Sequence, residues 1–447
     1  MARFDQTPTT LTISDLSHDG RGVARWPQGH PQAGKTVFVA GALPGETVLA
    51  RQTARSRHFD EAQTLEVLTA SPDRVVPRCP HFGTCGGCVL QHLAEDRQIA
   101  YKQQVLLDNL QRIGHVAPQQ VLPPLRAEAW GYRRKGRLSV RRVEKKDKTL
   151  VGFREQDPRF VADLRECHTV IPELGLKLAA LGALVDGLAA RRDIPQIEFI
   201  AGDDAIALVF RHLQPLSERD RAALAAFGQE HGFAIFLQPG GVDSVHPLTD
   251  DVPLAFRLPQ WDVVLEFRPL DFIQVNARLN EMMIARALDL LEVQPGERVL
   301  DLFCGLGNFT LPLARVCRDG QVVGVEGDTG LVARARHNAR RNGLDNVQFH
   351  AADLAQDLAG QPWLKAGFDR LLLDPARAGA IEVLRQLPLN GLQRIVYVSC
   401  HPGSLARDAG FLVNDAGWTL RAAGVMDMFP HTAHVESIAV FDPPRRR

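Results

Sequence analysis

The chain has 447 residues, 45% of them hydrophobic, which is enough for ordinary buried cores, and this length predicts about two to four domains. Its 52 Lys and Arg balance its 52 Asp and Glu, so the net charge favours no class of partner. No apolar stretch approaches the roughly 20 residues needed to cross a bilayer. The start of the chain also lacks the apolar region of a secretory signal. We therefore exclude a membrane protein and expect a cytoplasmic one.

The first part of the chain, about residues 8–68, contains short apolar runs separated by glycine-containing turns. Strands at such regular spacing are typical of a small β-barrel. The predicted strands are Leu11–Ile13, Val37–Val39, Thr47–Leu49 and Thr64–Leu68.

Three of the seven cysteines, Cys79, Cys85 and Cys88, lie within one short loop, and Cys167 is the candidate for a fourth ligand. In an intracellular chain, an odd number of clustered cysteines indicates metal binding or catalysis rather than disulfides. Four thiolates suit either tetrahedral zinc or an iron–sulfur cluster. The spacing alone leaves both open, although it is not the radical-SAM spacing.

The middle region combines a helix predicted over 95–113 with a β-hairpin predicted over 132–153 and further strands near 196–200 and 205–210, which indicates an α+β fold. Between Arg126 and Lys148 there are ten Lys and Arg but only three acidic residues. Such a basic stripe can follow a phosphate backbone. It is equally typical of a solvated hairpin.

From about residue 271, apolar strands alternate with segments of helical length, which predicts a parallel, doubly wound sheet. Ligands of such sheets bind beyond the carboxyl ends of the strands. The predicted strands begin at Arg298, Val322, Val347, Arg370 and Arg394.

An acidic residue stands at each of four successive strand ends: Asp301, Glu326, Asp353 and Asp374. The first precedes a glycine-rich turn, but Thr310 occupies the position of the third glycine of a dinucleotide fingerprint, which disfavours NAD. Asp301 suits the ammonium group of a methionine moiety, Glu326 suits ribose hydroxyls, and Asp353 suits an adenine amino group. Each acid alone could be a helix N-cap. Together they favour an S-adenosylmethionine pocket.

The fifth strand, Ile395–Ser399, ends on Cys400, and a polar segment from Asp427 to Glu436 precedes the last apolar strand. C5 of uracil is a poor nucleophile until a thiolate adds to C6, and its proton must be removed afterwards. This chemistry needs one cysteine and one separate base, for which Cys400 and Glu436 are the candidates. The alternative is that Cys400 is an inert buried thiol, which is how we interpret Cys304 and Cys317.

Two sequence motifs resemble those of the RNA uracil-5-methyltransferases, and most closely those of the large-subunit rRNA enzymes. They are Asp374-Pro-Ala-Arg-Ala-Gly379 followed after fifteen residues by Ile395-Val-Tyr-Val-Ser-Cys400, and Asp427-Met-Phe-Pro-His-Thr-Ala-His-Val-Glu436. The resemblance implies that Cys400 is the nucleophile and Glu436 the base. The family usually has Asn where His401 stands and Thr where Ser404 stands. The cofactor-binding residues that it implies are Gln274, Phe303, Asn308, Glu326, Asp353 and Asp374.

The resemblance also implies a multidomain fold and a second cofactor. It predicts an OB-like TRAM barrel over 1–70, an α+β central domain over 71–268, and a Rossmann-like methyltransferase domain over 269–447. A [4Fe–4S] cluster is expected in the central domain, and its role looks structural or RNA-contacting. Its implied ligands are Cys79, Cys85, Cys88 and Cys167. An RNA-binding role for the basic stripe is favoured as well.

The resulting hypothesis is S-adenosylmethionine-dependent methylation of C5 of a flipped uridine in 23S rRNA, at a site of the uracil-1939 type. Recognition of a flipped base in an RNA loop fits aromatic and arginine contacts. We expect no obligate protein partner and a monomer. One alternative is another rRNA or a tRNA uridine. The other is a non-catalytic RNA-binding factor in ribosome assembly, which would need neither Cys400 nor Glu436.

Overall fold

The computed structural model describes residues 6–249 and 251–444, which form two compact units. The first unit comprises the described residues up to Lys102 together with Phe153–Ala162 and Phe429–His434. The second unit comprises Gln103–Gly152, Asp163–Met428 and the described residues from Val435 onward. The three-domain division at 70/71 and 268/269 stays a prediction.

Six strands near the start of the first unit form one sheet, in the order β1-β5-β6-β4-β3-β2. All neighbouring strands are antiparallel except β4 and β6. Alternate residues of these strands share one apolar core, as expected for a sheet with one buried face. The four strands predicted here are confirmed, and two short ones were missed. The bounds are β1 Thr9–Thr12, β2 Asp15–Leu16, β3 Gly22–Arg25, β4 Thr36–Ala40, β5 Thr47–Arg55 and β6 Phe59–Thr69.

The helix predicted over 95–113 is confirmed as α1, Glu95–Arg112. Glu95 and Asp96 lie in its first turn and Arg112 in its last, an arrangement that complements the helix dipole. Unusually, the first half of this helix buries polar side chains, among them Gln98 and Lys102.

A second sheet has the order β13-β12-β11-β10-β8-β9, and the hairpin predicted over 132–153 is confirmed as β8 and β9. Only β11 and β12 are parallel neighbours. The strand β7, Gln120–Val121, belongs to the eight-stranded sheet. The elements that follow it have the bounds β8 Lys135–Val143, β9 Lys148–Gly152, α2 Pro172–Gly175, α3 Leu178–Gly187, β10 Gln196–Ala201, β11 Ile206–Arg211, α4 Glu218–His231, β12 Phe233–Gln238 and β13 His246–Pro247.

The remaining strands build a separate hairpin and an eight-stranded sheet. The hairpin consists of β14 Leu254–Leu258 and β15 Val263–Phe267. The other bounds are α5 Ala277–Leu291, β16 Arg298–Leu302, α6 Thr310–Val316, β17 Gln321–Glu326, α7 Thr329–Arg341, β18 Val347–Ala351, β19 Arg370–Leu373, α8 Ile381–Leu384, β20 Arg394–Ser399, α9 Pro402–Gly410, β21 Thr419–Met426 and β22 Glu436–Asp442.

The order of the large sheet is β18-β17-β16-β19-β20-β22-β21-β7. The five strands from β18 to β20 are parallel, which confirms the predicted doubly wound sheet. β22 runs antiparallel to both β20 and β21. The strand order reverses between β16 and β19, and the crevice beyond their carboxyl ends is where such sheets bind ligands.

The basic stripe is not a continuous charged surface, because many of its side chains are buried or paired. Arg134 is buried, and Lys135 donates through Nζ to the carbonyl of Leu270 at 3.2 Å. Arg142 forms ion pairs with three acidic residues, and Lys148 pairs with Asp163. Charge counting along the sequence therefore overestimates the positive surface that this hairpin offers to a phosphate backbone.

Across the described ranges 6–249 and 251–444, no helix combines the length and the apolar character that crossing a membrane would require.

Candidate active site

Cys400 lies at the carboxyl end of β20, a strand whose six residues are all buried. The strand is central in the sheet because β19 and β22 flank it. Directly after the cysteine, His401 caps α9 by accepting the Ser404 N–H on Nδ1 at 3.1 Å. His401 thus supplies the capping acceptor at the position where the family usually has Asn. The difference between His and Asn therefore preserves the helix cap.

The Cys400 thiol is half-buried in an acidic environment. Burial, followed by the negative charges of Glu436 and Asp374, raises its pKa to about 11, against the opposing effect of Arg377. At neutral pH the thiol is therefore protonated in the ligand-free protein. A ligand that brings positive charge to this site would favour the thiolate.

Glu436 is the first residue of β22, where it pairs with Met426 of β21. Its side chain is buried. Burial and the charge of Asp374 raise its pKa well above the usual range of a carboxyl group. A carboxylate with a raised pKa is a stronger base, and this is a property that a general base for proton removal from carbon needs.

Asp374 follows β19 and begins the loop that contains Gly379. Burial raises the pKa of Asp374 to about 7. The end of the loop is held by the buried carboxylate of Asp408, which accepts the Ala380 N–H at 2.7 Å. A Cβ on Gly379 would lie 2.6 Å from Arg407 Nη2 and 2.7 Å from Asp408 Oδ2, and its φ is +86°. Only glycine therefore fits at this position.

Asp301, at the end of β16, is fully buried, and one of its oxygens lacks a hydrogen-bond partner. Thr310 donates to Oδ2 at 2.5 Å, whereas Oδ1 has no donor within reach. Burial, with the charges of Asp374 and Glu326, raises the pKa of Asp301 to about 8. A buried acceptor without a partner is rare in proteins. Here it fits a cationic donor group such as an ammonium.

Glu326 and Asn308 both make polar contacts at the glycine-rich turn. Glu326 accepts backbone N–H groups of Gly305 at 3.1 Å and Asp328 at 3.0 Å, which fix its carboxylate beside the turn. Asn308 and Asn280 exchange two amide hydrogen bonds, each of 2.9 Å. The turn is therefore held by polar contacts that leave lone pairs of Glu326 for a ligand.

The other three predicted cofactor residues contact different neighbours. Gln274 is buried, and its backbone carbonyl accepts from Arg134 Nε at 2.9 Å. Phe303 is half-buried with φ +63°, an uncommon conformation for a residue other than glycine. Asp353 is exposed and accepts the Ala355 N–H at 3.0 Å in a turn, and no helix begins at this position, so Asp353 is not a helix N-cap.

The four acids Asp301, Glu326, Asp374 and Glu436 form what we call the carboxylate cluster. The charges of Asp374 and Glu326 help to raise the pKa of Asp301, that of Asp374 helps to raise the pKa of Glu436, and those of Glu436 and Asp374 help to raise the pKa of Cys400. The cluster would be costly to ionise without a cation. S-adenosylmethionine carries a sulfonium and an ammonium group, so the residues present fit this cofactor.

Cys304 and Cys317 are buried, which agrees with their interpretation as structural thiols. Burial, with the charges of Asp301 and Glu326, raises the pKa of Cys304 well above its usual range. Burial raises the pKa of Cys317 to about 11, and its Sγ lies 3.2 Å from the Glu297 carbonyl oxygen. Neither thiol is suited to be a nucleophile.

The cysteine loop of the first unit has features of a metal-binding turn. Gly87 N–H donates to Cys85 Sγ at 3.4 Å, a contact that favours a thiolate. A Cβ on Gly86 would lie 2.8 Å from the Glu155 carbonyl oxygen. Cys167 is buried in the second unit, with Sγ 3.3 Å from Thr169 Oγ1. In the described part of the chain, no three Cys, His, Asp or Glu side chains are arranged to hold a metal ion. The iron–sulfur cluster therefore stays a prediction.

Several residues that support the site were missed by the sequence reasoning. They are Asn280, which pairs with Asn308; Thr310, noted only as a missing glycine; and Asp408, which holds the loop after Asp374. Thr310 carried a signal, because a hydroxyl nine residues after a buried acid can turn back to it across a strand-turn-helix. No local sequence pattern marks Asn280 or Asp408 as residues that support the site.

Two family models match the chain. The tRNA (Uracil-5-)-methyltransferase model matches residues 191–442, and the TRAM domain model matches residues 9–59. The second match confirms the predicted N-terminal TRAM domain, and the first confirms the C-terminal methyltransferase fold.

Similar proteins include two named 23S rRNA (uracil(1939)-C(5))-methyltransferase RlmD. The one from Xanthomonas euvesicatoria is 72% identical over 98% of each chain. The one from Stenotrophomonas maltophilia is 72% identical over 99% of this chain and 98% of its own. A solved structure, the tRNA (uracil-54, C5)-methyltransferase of Pyrococcus abyssi with S-adenosyl-L-homocysteine, shares the fold. Its TM-score is 0.73 with 23% identity, covering 97% of this chain and 99% of that one.

The family model covers more than half of the chain, and the relatives from Xanthomonas and Stenotrophomonas match nearly all of it. The chain therefore belongs to the RNA uracil-5-methyltransferase family.

Proposed function

We propose that this protein transfers a methyl group from S-adenosylmethionine to C5 of a uridine in 23S rRNA, at the uracil-1939 type of site. The proposal rests on the pairing of Ser399 with Ser437, which brings Cys400, after β20, and Glu436, at the start of β22, to the same end of two neighbouring strands. A nucleophile and a separate base in one site are what methylation of C5 requires. The names of the relatives from Xanthomonas and Stenotrophomonas support the choice of RNA.

The reaction that we propose begins with the Cys400 thiolate. Its sulfur adds to C6 of the uracil, so that an S–C6 bond forms and the C5=C6 electron pair moves to C5 and the adjacent carbonyl oxygen. When bound, S-adenosylmethionine supplies an electrophilic methyl group, which C5 takes with that electron pair while the donor leaves as a neutral thioether. Glu436 then removes the C5 proton. The electrons of the C5–H bond restore the C5=C6 bond, and the S–C6 bond breaks to return the thiolate.

The carboxylate cluster would bind the cationic donor through ionic and hydrogen-bonding contacts. Asp301 Oδ1 is available for an ammonium group, and Glu326 for ribose hydroxyls. Gln274, Phe303, Asn308, Asp353 and Asp374 complete the proposed cofactor site. A bound cation lowers the pKa values of the neighbouring thiol and carboxyl groups. It would therefore favour the thiolate of Cys400 and the ionised base.

We also propose that Cys79, Cys85, Cys88 and Cys167 hold a [4Fe–4S] cluster. The three loop thiols are soft ligands, and the Gly87 N–H at Cys85 Sγ supports a thiolate there. The role of the cluster would be structural or RNA-contacting, since methyl transfer to an activated uracil involves no electron transfer. A brown colour, with iron and sulfide measured in the purified protein and lost in Cys88→Ser, would support the cluster. Bound zinc would contradict it.

The remaining parts of the hypothesis concern RNA binding, cellular location and oligomeric state. The TRAM domain and the aromatic and basic residues of the central region would bind an rRNA loop from which the uridine is flipped. We propose that the protein acts on rRNA in the cytoplasm, as a monomer without an obligate protein partner.

The proposal is tested by incubating the protein with labelled S-adenosylmethionine and an in vitro transcript of the rRNA region around the target. The expected result is one labelled 5-methyluridine per transcript at one position, and none with Cys400→Ala. Labelling of a tRNA transcript instead would support the alternative substrate. RNA binding without label transfer under any condition would support a non-catalytic assembly factor, and label transfer by Cys400→Ala would contradict the mechanism.

A further inference from the structure

The segment Phe429–His434, which precedes Glu436, is fixed within the first unit by two buried polar side chains of α1. Gln98 Oε1 accepts the His431 N–H at 2.9 Å, and Gln98 Nε2 lies 3.2 Å from His431 Nδ1. The two N–H donors of Gln98 Nε2 are shared among three nearby acceptor positions, of which the carbonyls of Leu90 and Leu93 are closer than Nδ1. One glutamine thus contacts both the backbone and the ring of His431.

Gln98 also ties this segment to the residues that follow the cysteine loop. Its Nε2 is within reach of the carbonyl oxygens of Leu90, at 3.0 Å, and Leu93, at 2.8 Å. The His431 carbonyl accepts from the N–H groups of Val89, at 2.9 Å, and Leu90, at 3.0 Å. The backbone donor and acceptor of His431 are therefore both engaged by a region that lies more than 300 residues away in the sequence.

The conformation of His431 explains why so many contacts are needed. Its φ is +66°, a left-handed conformation that is unfavourable for a residue other than glycine and persists only where the surroundings impose it. One helical turn after Gln98, the fully buried Lys102 donates through Nζ to the Phe429 carbonyl at 2.8 Å. Gln98 and Lys102 together determine the path of the chain shortly before it enters β22 at Glu436.

We infer that Gln98 is a positioning residue for Glu436, with Lys102 in a supporting role; this inference rests on the proposed function. Cys400 follows β20, which pairs with β22 on one side and with β19 on its other side, and is followed by α9, whereas Glu436 is the residue at which β22 begins, two residues after the Phe429–His434 segment. A change in the Phe429–His434 segment therefore disturbs the position of the base more than that of the nucleophile. Proton removal is sensitive to small displacements of the base. Loss of Gln98 should selectively slow the step that Glu436 performs.

The experiment compares Gln98→Met with Gln104→Met, which changes the same residue type in the same helix. Gln104 is exposed and donates to Asp108 at 2.7 Å within the same helix. In single-turnover reactions with rRNA transcript and labelled S-adenosylmethionine, two rates are measured: formation of labelled RNA, free or protein-bound, and release of free methylated RNA. Glu436→Gln is the reference in which release is blocked.

For Gln98→Met we expect release to slow at least about tenfold while methyl transfer changes less than about twofold, so that a protein–RNA adduct accumulates on denaturing gels. Lys102→Met should show the same pattern more weakly, and Gln104→Met should match the unaltered protein. Equal slowing of both rates, or loss of folding in Gln98→Met together with unaltered rates in Lys102→Met, would overturn the inference. If Glu436→Gln itself gives no adduct, the proposed mechanism fails, and the inference fails with it.

Discussion

The hydroxyl of Tyr397 donates to Asp408 Oδ2 at 2.7 Å, and this bond joins the strand that ends at Cys400 to the helix that follows it. Both side chains are buried. Because Asp408 also accepts the Ala380 N–H, one carboxylate connects β20, α9 and the loop that starts at Asp374. The nucleophile and one acid of the carboxylate cluster are thus held by a common anchor.

Replacing Tyr397 by Phe should weaken this anchor. The change removes one hydrogen bond from a buried carboxylate, so the free energy of unfolding should fall by about 1–3 kcal/mol. It should also slow the formation of the Cys400–RNA adduct, which can be measured in the Glu436→Gln background. Tyr101→Phe is the matched control, since Tyr101 donates to the Ser17 carbonyl within the first unit. If both variants slow adduct formation equally, the anchor does not act on Cys400.

Asp301 should make the stability of the protein depend on pH. Its pKa in the folded protein is raised to about 8, against about 4 in an unfolded chain. Such a group contributes stability that is fully present below about pH 4 and is lost as the pH rises through about 8. Asp301→Asn keeps an acceptor for Thr310 but cannot ionise. At pH 8.5 the variant should be more stable than the unaltered protein by about 2 kcal/mol or more.

The same variant should bind S-adenosylmethionine more weakly, because the negative charge offered to its ammonium group is lost. Denaturant unfolding at pH 5 and pH 8.5, with calorimetric titration of the cofactor, measures both effects. Asp357→Asn, at an exposed position, controls for the removal of one surface charge. Unchanged affinity in Asp301→Asn would contradict the assignment of Asp301 to the cofactor site.

Asn280 should support cofactor binding without being one of the predicted contacts. Asn280→Leu removes both amide hydrogen bonds to Asn308, so Asn308 is free to turn away from the cofactor turn. We expect the affinity for S-adenosylmethionine to fall about tenfold, which corresponds to about 1.4 kcal/mol. Asn346→Leu is the control, because Asn346 instead donates to the carbonyls of Ala314 and Cys317. An equal loss of affinity in both variants would indicate general destabilisation.

The ion pair between Arg370 and Glu297 should affect stability but not cofactor binding. Both residues are buried, the two hydrogen bonds measure 2.8 and 2.9 Å, and the pair lies at the amino-terminal ends of β19 and β16, away from the site. Arg370→Met should lower the free energy of unfolding by about 3–5 kcal/mol, because it leaves an uncompensated buried charge. Replacing Glu297 by Met as well should recover much of this loss. A tenfold change in the affinity of Arg370→Met for S-adenosylmethionine would contradict the placement of this ion pair away from the cofactor site.

The sequence allowed most of the methyltransferase sheet to be predicted, because β16, β17, β19 and β20 are buried apolar runs that end at polar residues. The local sequence was sufficient there, because a strand that is buried on both faces consists of a nearly continuous run of apolar residues. The hairpin of β14 and β15 was missed because its alternating pattern is short. In the same way, apolar runs separated by turns were enough to predict the barrel.

The support of the site could not be predicted, because it depends on contacts between residues that are distant in sequence. The hydrogen bonds of Gln98 to His431 and of Asn280 to Asn308 follow from the tertiary fold alone. For the basic stripe, the sequence instead led to an overestimate of the exposed positive charge. Counting charges cannot reveal that Arg134 is buried or that Arg142 pairs with Asp186, because both facts depend on the tertiary fold.

The most direct test of the proposed mechanism is the fate of rRNA in the Glu436→Gln variant. The protein is mixed with the transcript and S-adenosylmethionine, denatured, digested and analysed by mass spectrometry. The account predicts a peptide containing Cys400 that is linked to a nucleotide carrying one added methyl group, and no such peptide in the Cys400→Ala/Glu436→Gln double variant. Free 5-methyluridine at the normal rate from Glu436→Gln, with no linked peptide, would contradict it.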